Sequence, residues 1–224
     1  MKILFNSMRK LFFPIFIISS ISSAVYAQTK NDPEAKVILD GVSEKFKSYK
    51  TVEASFTYKV ENSSGKTLST KNGTAKMKGT KYYVNFSGQE IFCDGQVIWN
   101  YDRSANEVSI TSLDAGSGTI TPQKLFTNFY DKDFYYKLNG NKNVGGKTLL
   151  EIELTPTDKS KPFHKVYLLV DKSTKNITST RVLETSGNRY SYTVKSMKTD
   201  LAFPDNQFVF NKSKYPGVEV IDLR

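Results

Sequence analysis

The alternation of apolar and polar residues that begins after position 50 constrains the fold of this chain more than any other feature. From Val52 to Val60 every second residue is apolar, and charged or hydroxyl-bearing residues lie between them. A period of two is that of a strand with one buried and one solvated face. Similar segments, separated by Gly, Asn, Asp and Lys, predict strands at 51–60, 67–78, 82–86, 89–93, 96–101, 107–113, 134–138, 147–154, 163–171, 176–184, 189–196 and 218–223.

This order of strands predicts an α+β fold, mainly β, in which a meandering antiparallel sheet carries helices on one side. A sheet of this size curls toward a barrel because its strands twist. Helices across the open side would then close an apolar space. The periodicity leaves open whether that space is a packed core or a ligand cavity.

Cap residues and apolar spacing predict two helices. The pair Asp32-Pro33 suits the start of an amphipathic helix over Pro33–Ser48, whose apolar residues recur every three or four positions. The pair Thr121-Pro122 begins a second helix by the same logic, and this helix ends near Tyr130. A loop rich in Gly, Ser and Thr, residues 114–121, precedes it.

The first 27 residues predict a secretory signal peptide. Three basic residues, the last of them Lys10, precede an uncharged apolar run from Leu11 to Ile21, and the cut is predicted after Ala27. This run is too short to span a bilayer comfortably. We therefore expect one exported domain, residues 28–224, in the periplasm and without a lipid anchor.

The chain is poor in catalytic groups. It has a formal charge of +10, one Cys and one His. Cys93 lies in an apolar run and is predicted to be a buried structural thiol, while His164 is predicted to be an exposed strand residue. No nucleophile-and-base pair and no metal-ligand cluster is predicted, which leaves carboxylate chemistry as the enzymatic alternative.

The basic charge does not predict nucleic-acid binding. Lys and Arg are scattered along the strands, and no known nucleic-acid motif is present. The charge serves either ordinary solubility or contact with anionic membrane surfaces and acidic partners.

Five motifs, in order along nearly the whole predicted mature chain, resemble the LolA family of periplasmic carriers of outer-membrane lipoproteins. Val52–Val60 is similar to the family's ASF-x-x-K-V strand, and Cys93–Tyr101 resembles its DG-x-x-(L/I)W-x-Y hairpin. The others are Thr121-Pro122, which opens an apolar helix after a loop, Ile152–Pro156 and Tyr215–Val220. Each motif is weak alone, and the resemblance rests on the ordered set.

The resemblance implies a curled, incomplete barrel with a helical lid over a hydrophobic cavity for lipoprotein acyl chains. It implies no enzyme activity and no cofactor. The implied partners are acylated lipoproteins, an ATP-driven lipoprotein-releasing complex in the inner membrane and an acceptor at the outer membrane, and we expect a monomer. Lys78 occupies the place where the family has an Arg that latches the lid, so it is either a latch or a solvated residue at a strand end.

The expected cavity is a hypothesis about a group of residues, since any one of them could belong to an ordinary core. Two other functions remain open: a periplasmic lipid or lipoprotein sensor of related fold, and a carrier of another apolar ligand. The predicted cavity residues are Phe56, Tyr58, Tyr82, Val84, Phe86, Ile91, Trp99 and Tyr101 from the strands, and Ile38, Val42, Phe46, Leu125, Phe126 and Phe129 from the lid helices.

Overall fold

The computed structural model describes residues 31–113 and 130–224. The predicted signal peptide, the predicted loop 114–121 and the second predicted helix up to residue 129 lie outside these ranges. The described elements are α1 (Pro33–Ser48), β1 (Thr51–Glu61), β2 (Thr67–Lys78), β3 (Lys81–Phe86), β4 (Gln89–Cys93), β5 (Val97–Asp102), β6 (Glu107–Ser112), α2 (Tyr130–Asp133), β7 (Phe134–Val144), β8 (Lys147–Pro156), β9 (Phe163–Asp171), β10 (Ile177–Glu184), β11 (Arg189–Thr199) and β12 (Glu219–Asp222), with short 3-10 helices at Asp205–Phe208 and Lys212–Lys214.

The described strands form one open, curled sheet in the order β12-β6-β5-β4-β3-β2-β1-β11-β10-β9-β8-β7. The edge strands β12 and β7 do not pair with each other, so the barrel is incomplete, and the predicted fold class is confirmed. Every neighbouring pair is antiparallel except β12 and β6, which run parallel. The chain reaches β12 by a long connection from β11 rather than by a hairpin, which is why the last strand departs from the predicted meander.

Several strands are longer than the alternation indicates. Strand β7 continues to Val144 although its second half is polar and contains Gly140, because the ladder with β8 supplies its hydrogen bonds across a bulge between Leu138 and Gly140. Strand β11 likewise continues to Thr199 past a register shift opposite Ser55 and Phe56. Backbone pairing thus extends strands beyond the point where the apolar pattern ends.

Helix α1 has the predicted bounds, and Asp32 fixes its first turn to the sheet. The Asp32 carboxylate accepts hydrogen bonds from the backbone N–H groups of Glu34 and Ala35, at 2.9 and 3.3 Å, as an N-cap. It also accepts from the N–H of Leu138 at 3.0 Å, while the Asp32 N–H donates to the carbonyl of Tyr136 at 3.1 Å. The Leu138 hydrogen bond is the main cause that lowers the pKa of Asp32.

The largest core lies between α1 and strands β7 to β10. The apolar stripe of α1 packs there on side chains that alternate along those strands, and burial of such surface is the main stabilising term of folding. The core consists of Ala35, Ile38, Leu39, Val42, Tyr130, Tyr136, Leu150, Ile152, Leu154, Val166, Leu168, Val170 and Ile177.

The opposite face of β2 to β6 is covered by the chain after β11. Phe208 is fully buried, and Phe210 and Tyr215 stack with ring centroids 4.6 Å apart. Glu90, only 8% exposed, accepts hydrogen bonds from the hydroxyls of Tyr83 and Tyr215, at 3.0 and 3.1 Å. A tyrosine of the C-terminal segment and one of the sheet therefore share one buried carboxylate.

The hydrogen bonds to the Asp32 carboxylate make the stability of the fold depend on pH. Because the folded-state pKa of Asp32 is lowered, its ionised form stabilises the fold above the unfolded-state pKa of about 4, and this contribution is lost as the pH falls through the folded value. We expect Asp32→Ala to lower the free energy of unfolding at pH 7 by about 1–2 kcal/mol, measured by urea denaturation.

Two comparisons across the pH range test whether the charge of the Asp32 carboxylate causes this stabilisation. The difference between wild type and Asp32→Ala should shrink below pH 4, and Asp32→Asn, which caps without a charge, should be less destabilised at pH 7 than the Ala variant. A wild-type-to-Ala difference that stays constant from neutral to acid pH would contradict the role given to the carboxylate.

Candidate functional site: the concave face of the sheet

The concave face, defined as the side of the sheet that α1 covers, carries most of the predicted cavity residues. Directly opposed residues of neighbouring strands share a face, and Phe56 lies opposite Gly73 on one side and Val194 on the other. The ladders continue this face from Gly73 to Phe86, and from Ala75 to Val84 and Ile91. Tyr58 and Tyr82 lie on the same face of β1 and β3.

A small apolar cavity lies beneath the last two turns of α1. Its volume is about 20 Å³, which is the space of about one water molecule and not of an acyl chain. Two methionines, whose side chains adapt readily to changes in shape, belong to its wall. The lining residues are Val42, Phe46, Val52, Ala54, Met77, Lys175, Asn176, Ile177, Val194 and Met197.

Beside this cavity the concave face carries five aromatic rings, which we call the aromatic cluster: Phe56, Tyr58, Phe86, Tyr190 and Tyr192. Tyr58 is central, with ring centroids 5.3 Å from Phe86, 5.9 Å from Tyr190 and 4.9 Å from Tyr192. Phe56 lies 5.7 Å from Phe86 and 6.3 Å from Tyr192. Offset and edge-on pairs at these distances are attractive beyond their buried area.

Gly73 provides the space for the Phe56 ring. A Cβ atom at position 73 would lie 2.4 to 3.0 Å from three ring carbons of Phe56. The ring therefore lies flat over the backbone of β2, in the manner by which aromatic side chains cover strand glycines.

The tyrosine hydroxyls of this face differ in burial. Burial raises the pKa of Tyr58 to about 12, and burial also raises the pKa of Tyr82. Tyr192 is 43% exposed, and the Tyr190 hydroxyl donates to Glu184 at 3.3 Å. The phenols of Tyr58 and Tyr82 therefore stay protonated at neutral pH and can act as hydrogen-bond donors.

Cys93 lies at the end of the same face and is fully buried. Burial raises the pKa of its thiol, so the group remains a protonated, apolar packing element, as the sequence predicts.

Sequence reasoning missed the contribution of β11 and of the methionines. Tyr190, Tyr192 and Val194 alternate within the predicted strand 189–196, so the period of two contained the signal. Met197 lies beyond the predicted end of that strand, and Met77 lies between lysines, where single-strand alternation gives little indication of an apolar wall.

Trp99 and Tyr101 do not line the concave face, and this prediction is corrected. Trp99 pairs with Phe92, and Tyr101 with Glu90, whereas the neighbouring Ile91 is the residue that belongs to the concave face. Because successive side chains of a strand point to opposite faces, both rings lie beneath the C-terminal segment, in the cluster of Val108 and Val218.

In the part of the chain that the structure describes, Lys78 contacts the C-terminal segment, and the second predicted lid helix lies outside these residues up to position 129. Its ammonium group donates to the carbonyl of Phe203 at 3.1 Å and to the carboxylate of Asp205 at 2.8 Å. Met77 belongs to the concave face, so the next residue points away from α1. Lys78 and Lys81 together lower the pKa of Asp205 to about 2 and hold the C-terminal segment.

The predicted lid residues divide among three places. Ile38 belongs to the core beneath the first half of α1, whereas Val42 and Phe46 line the small cavity. Leu125, Phe126 and Phe129 lie outside the described residues.

The two ends of α1 are attached differently. Asp32 and its neighbour Asn31 bond three times to the backbone of β7. At the other end the Tyr49 hydroxyl donates to the side-chain oxygen of Asn176 at 3.0 Å. In the middle, Asp40 accepts a hydrogen bond from Tyr130 at 2.8 Å.

Within residues 31–113 and 130–224, no group of three or more His, Cys, Asp and Glu side chains is placed to hold a metal ion. No helix in these ranges is long and apolar enough to cross a membrane.

Comparison with known proteins gives a consistent result. The family model described as "Outer membrane lipoprotein carrier protein LolA" matches residues 47–211. An outer-membrane lipoprotein carrier protein of Cupriavidus pinatubonensis is 29% identical over 145 residues, covering 64% of this chain and 65% of the relative, just under two thirds of its length. The protein of the same description from Cupriavidus necator is 27% identical over 168 residues, or 73% and 76% of the two chains.

Among solved structures, an uncharacterized conserved protein from Thermus thermophilus superposes with a TM-score of 0.59 at 12% identity. The match covers 84% of this chain and 99% of that one. At this identity the likeness concerns the fold alone.

The contact between Phe56 and Gly73 gives a direct test of the packing of the concave face. We expect Gly73→Ala to displace the Phe56 ring and to lower the free energy of unfolding by about 1–3 kcal/mol, as overpacking does. Gly41→Ala is the matched control, because nothing lies within 4 Å of a Cβ there and Ala favours the helix by up to about 1 kcal/mol. Equal stability of the two variants in urea denaturation would show that the ring does not pack on Gly73.

Proposed function

The chain belongs to the LolA family of outer membrane lipoprotein carrier proteins, and from this premise we propose that it carries lipoproteins through the periplasm with their acyl chains on its concave face. One observation carries the proposal: an unbroken apolar strip runs from the cavity beneath Phe46, past Val194 and Phe56, to the rest of the aromatic cluster. The strip is formed on one side of the sheet only, and α1 covers its cavity end.

The physical task of such a carrier is to replace water around the acyl chains. Each methylene group exposed to water costs about 0.8 kcal/mol, so a chain of about 16 carbons costs about 13 kcal/mol. An apolar face that shields the chain removes most of this cost without any covalent step. Release requires that the face bind the chain only moderately better than a bilayer does.

Binding requires the cavity to expand, because about 20 Å³ does not admit an acyl chain. The start of α1 makes three hydrogen bonds with β7, and at the far end the Tyr49 hydroxyl bonds to Asn176 while Phe46 lines the cavity. We place the opening motion at the C-terminal turns of α1, because the cavity lies beneath them. Closure of the empty protein then offsets part of the ligand affinity, which favours release.

The remaining parts of the proposal follow from the family. The predicted signal peptide 1–27 exports the chain, residues 28–224 act as one monomeric carrier domain, an ATP-driven inner-membrane complex delivers the lipoprotein, and an outer-membrane acceptor receives it. A sensor of mislocalised lipoproteins, or a carrier of another lipid, would use the same face, and the cargo assay below separates these alternatives.

A charge on the concave face should abolish carriage. We expect Phe56→Glu to reduce release of a triacylated lipoprotein from inner-membrane vesicles, supplied with the donor complex and ATP, by about tenfold or more, because a carboxylate among apolar groups disfavours the bound chain. The measurement is the amount of lipoprotein that appears in a soluble one-to-one complex.

Thr57→Glu is the matched control. The Thr57 hydroxyl bonds to Asn72 on the opposite, solvated face, so this variant adds the same charge one residue away. Circular dichroism should show both variants folded. Equal release by the two variants would contradict acyl binding on the concave face, and no release by the folded wild type would favour a sensor or another cargo.

Loss of the Tyr49 hydrogen bond should ease opening of α1. We expect Tyr49→Phe to raise amide hydrogen exchange in the last turn of α1 by about fivefold, since one neutral hydrogen bond contributes about 1 kcal/mol. Asn176→Ala should raise amide hydrogen exchange in this turn to a similar extent. Because both substitutions remove the same hydrogen bond, the double variant should show exchange no faster than that of either single variant. Exchange at the wild-type rate in Tyr49→Phe would place the opening motion elsewhere.

A further inference from the structure

The concave face changes from aliphatic to phenolic along strand β1. Ala54 belongs to the cavity wall, while Tyr58, four residues further on the same face, lies about 13 Å away at the usual rise of a strand. Across the ladders Tyr58 is flanked by Tyr192 and Lys71. Tyr58, Tyr190 and Tyr192 form what we call the tyrosine rim, at the end of the strip away from the cavity.

The tyrosine rim offers hydrogen-bond donors that the fold does not use. Among the residues that the structure describes, the hydroxyls of Tyr58 and Tyr192 have no hydrogen-bond partner, and only that of Tyr190 is bonded, to Glu184. Phenylalanine would pack the aromatic cluster equally well, as it does at positions 56 and 86. Tyrosine suits a place where one end of the ring is apolar and the other meets polar groups.

The change from aliphatic to phenolic side chains along the concave face suits an amphipathic ligand that binds in one orientation. A diacylglyceryl group has long apolar chains and, at their common end, ester carbonyls that accept hydrogen bonds but donate none. The phenols of Tyr58 and Tyr192 are donors, and the ammonium group of Lys71, which donates one hydrogen bond to the Ser87 hydroxyl at 2.5 Å, has two further N–H groups; the esters are acceptors. Free hydrocarbon chains offer no acceptor and would gain nothing from the tyrosine rim.

We propose that the tyrosine rim binds the ester head of a diacylglyceryl group while its chains extend along Phe56 and Val194 into the cavity beneath α1. The inference rests on the proposed function and adds the direction in which the ligand lies and the class of lipid that is preferred. The ester head, and with it the attached polypeptide, leaves the concave face at the end of β1 remote from Tyr49.

The orientation is measured with single tryptophan reporters. Replacement of the only tryptophan, Trp99→Phe, gives a silent background. Tyr192→Trp then reports from the tyrosine rim and Phe46→Trp from the cavity. The probes are two diacylglycerols that carry a nitroxide quencher either on the glycerol head or near the chain ends.

The head-labelled probe should quench the rim reporter more strongly than the chain-labelled probe, and the cavity reporter should show the reverse order. Chain-end quenching of the rim reporter equal to or above head quenching would overturn the inference. Quenching of the cavity reporter alone would leave the proposed acyl binding intact and refute the role of the rim. No quenching of either reporter in folded variants would refute both.

Hydroxyl deletion tests the preference for ester lipids. Tyr58→Phe with Tyr192→Phe should weaken binding of dioctanoylglycerol by about three- to tenfold per lost hydrogen bond, while binding of diphenylhexatriene, a fluorescent hydrocarbon without any hydrogen-bond acceptor, stays nearly unchanged. Tyr135→Phe is the control, since Tyr135 is also 43% exposed but neighbours the buried core residue Tyr136 and therefore points to the other face. Equal loss for both ligands, or unchanged diacylglycerol binding, would contradict the inference.

Discussion

The packing of α1 on one half of a wide sheet is the constraint on which the rest of the molecule depends. One helix of 16 residues cannot cover a sheet of twelve described strands. Its apolar stripe forms a tight core with β7 to β10, and Phe46 reaches past that core toward β1, β2 and β11. Among the described residues, the concave face beyond Phe46 carries the aromatic cluster. The candidate site is the part of the concave face that lies beside the core beneath α1.

The other side of the sheet is fixed by the C-terminal segment. Glu90, Lys78 and Asp205 tie that segment to β2, β3 and β4, and its rings Phe210 and Tyr215 pack on Tyr101. Among the strands that carry the aromatic cluster, β3 with Phe86 has this packed layer behind it, whereas the opposite face of β1 is solvated at Thr57. The concave side is the side suited to expansion toward a ligand, because the small cavity lies there and its wall contains two methionines.

Much of this architecture could be predicted from the sequence because its signals are local. Asp32 and Pro33 predict the start of α1, and the alternation from Val52 to Val60 predicts a strand with one apolar face. One prediction failed because the rings of Trp99 and Tyr101 were assigned to a face without the phase of their strand against its neighbour. The contribution of Tyr192 and Met197 depended on which strand lies beside β1, which only the ladder with β11 decides.

The most direct test of the account is to locate a bound acyl chain. A synthetic palmitoylated lipopeptide with a photoactivatable diazirine at the chain end would be crosslinked to the mature protein, and the adducts mapped by mass spectrometry. The account predicts adducts at the cavity wall, at Phe46, Met77 or Met197. Adducts confined to the opposite face, around Trp99 and Phe210, would contradict the claim that the concave face is the acyl-binding surface.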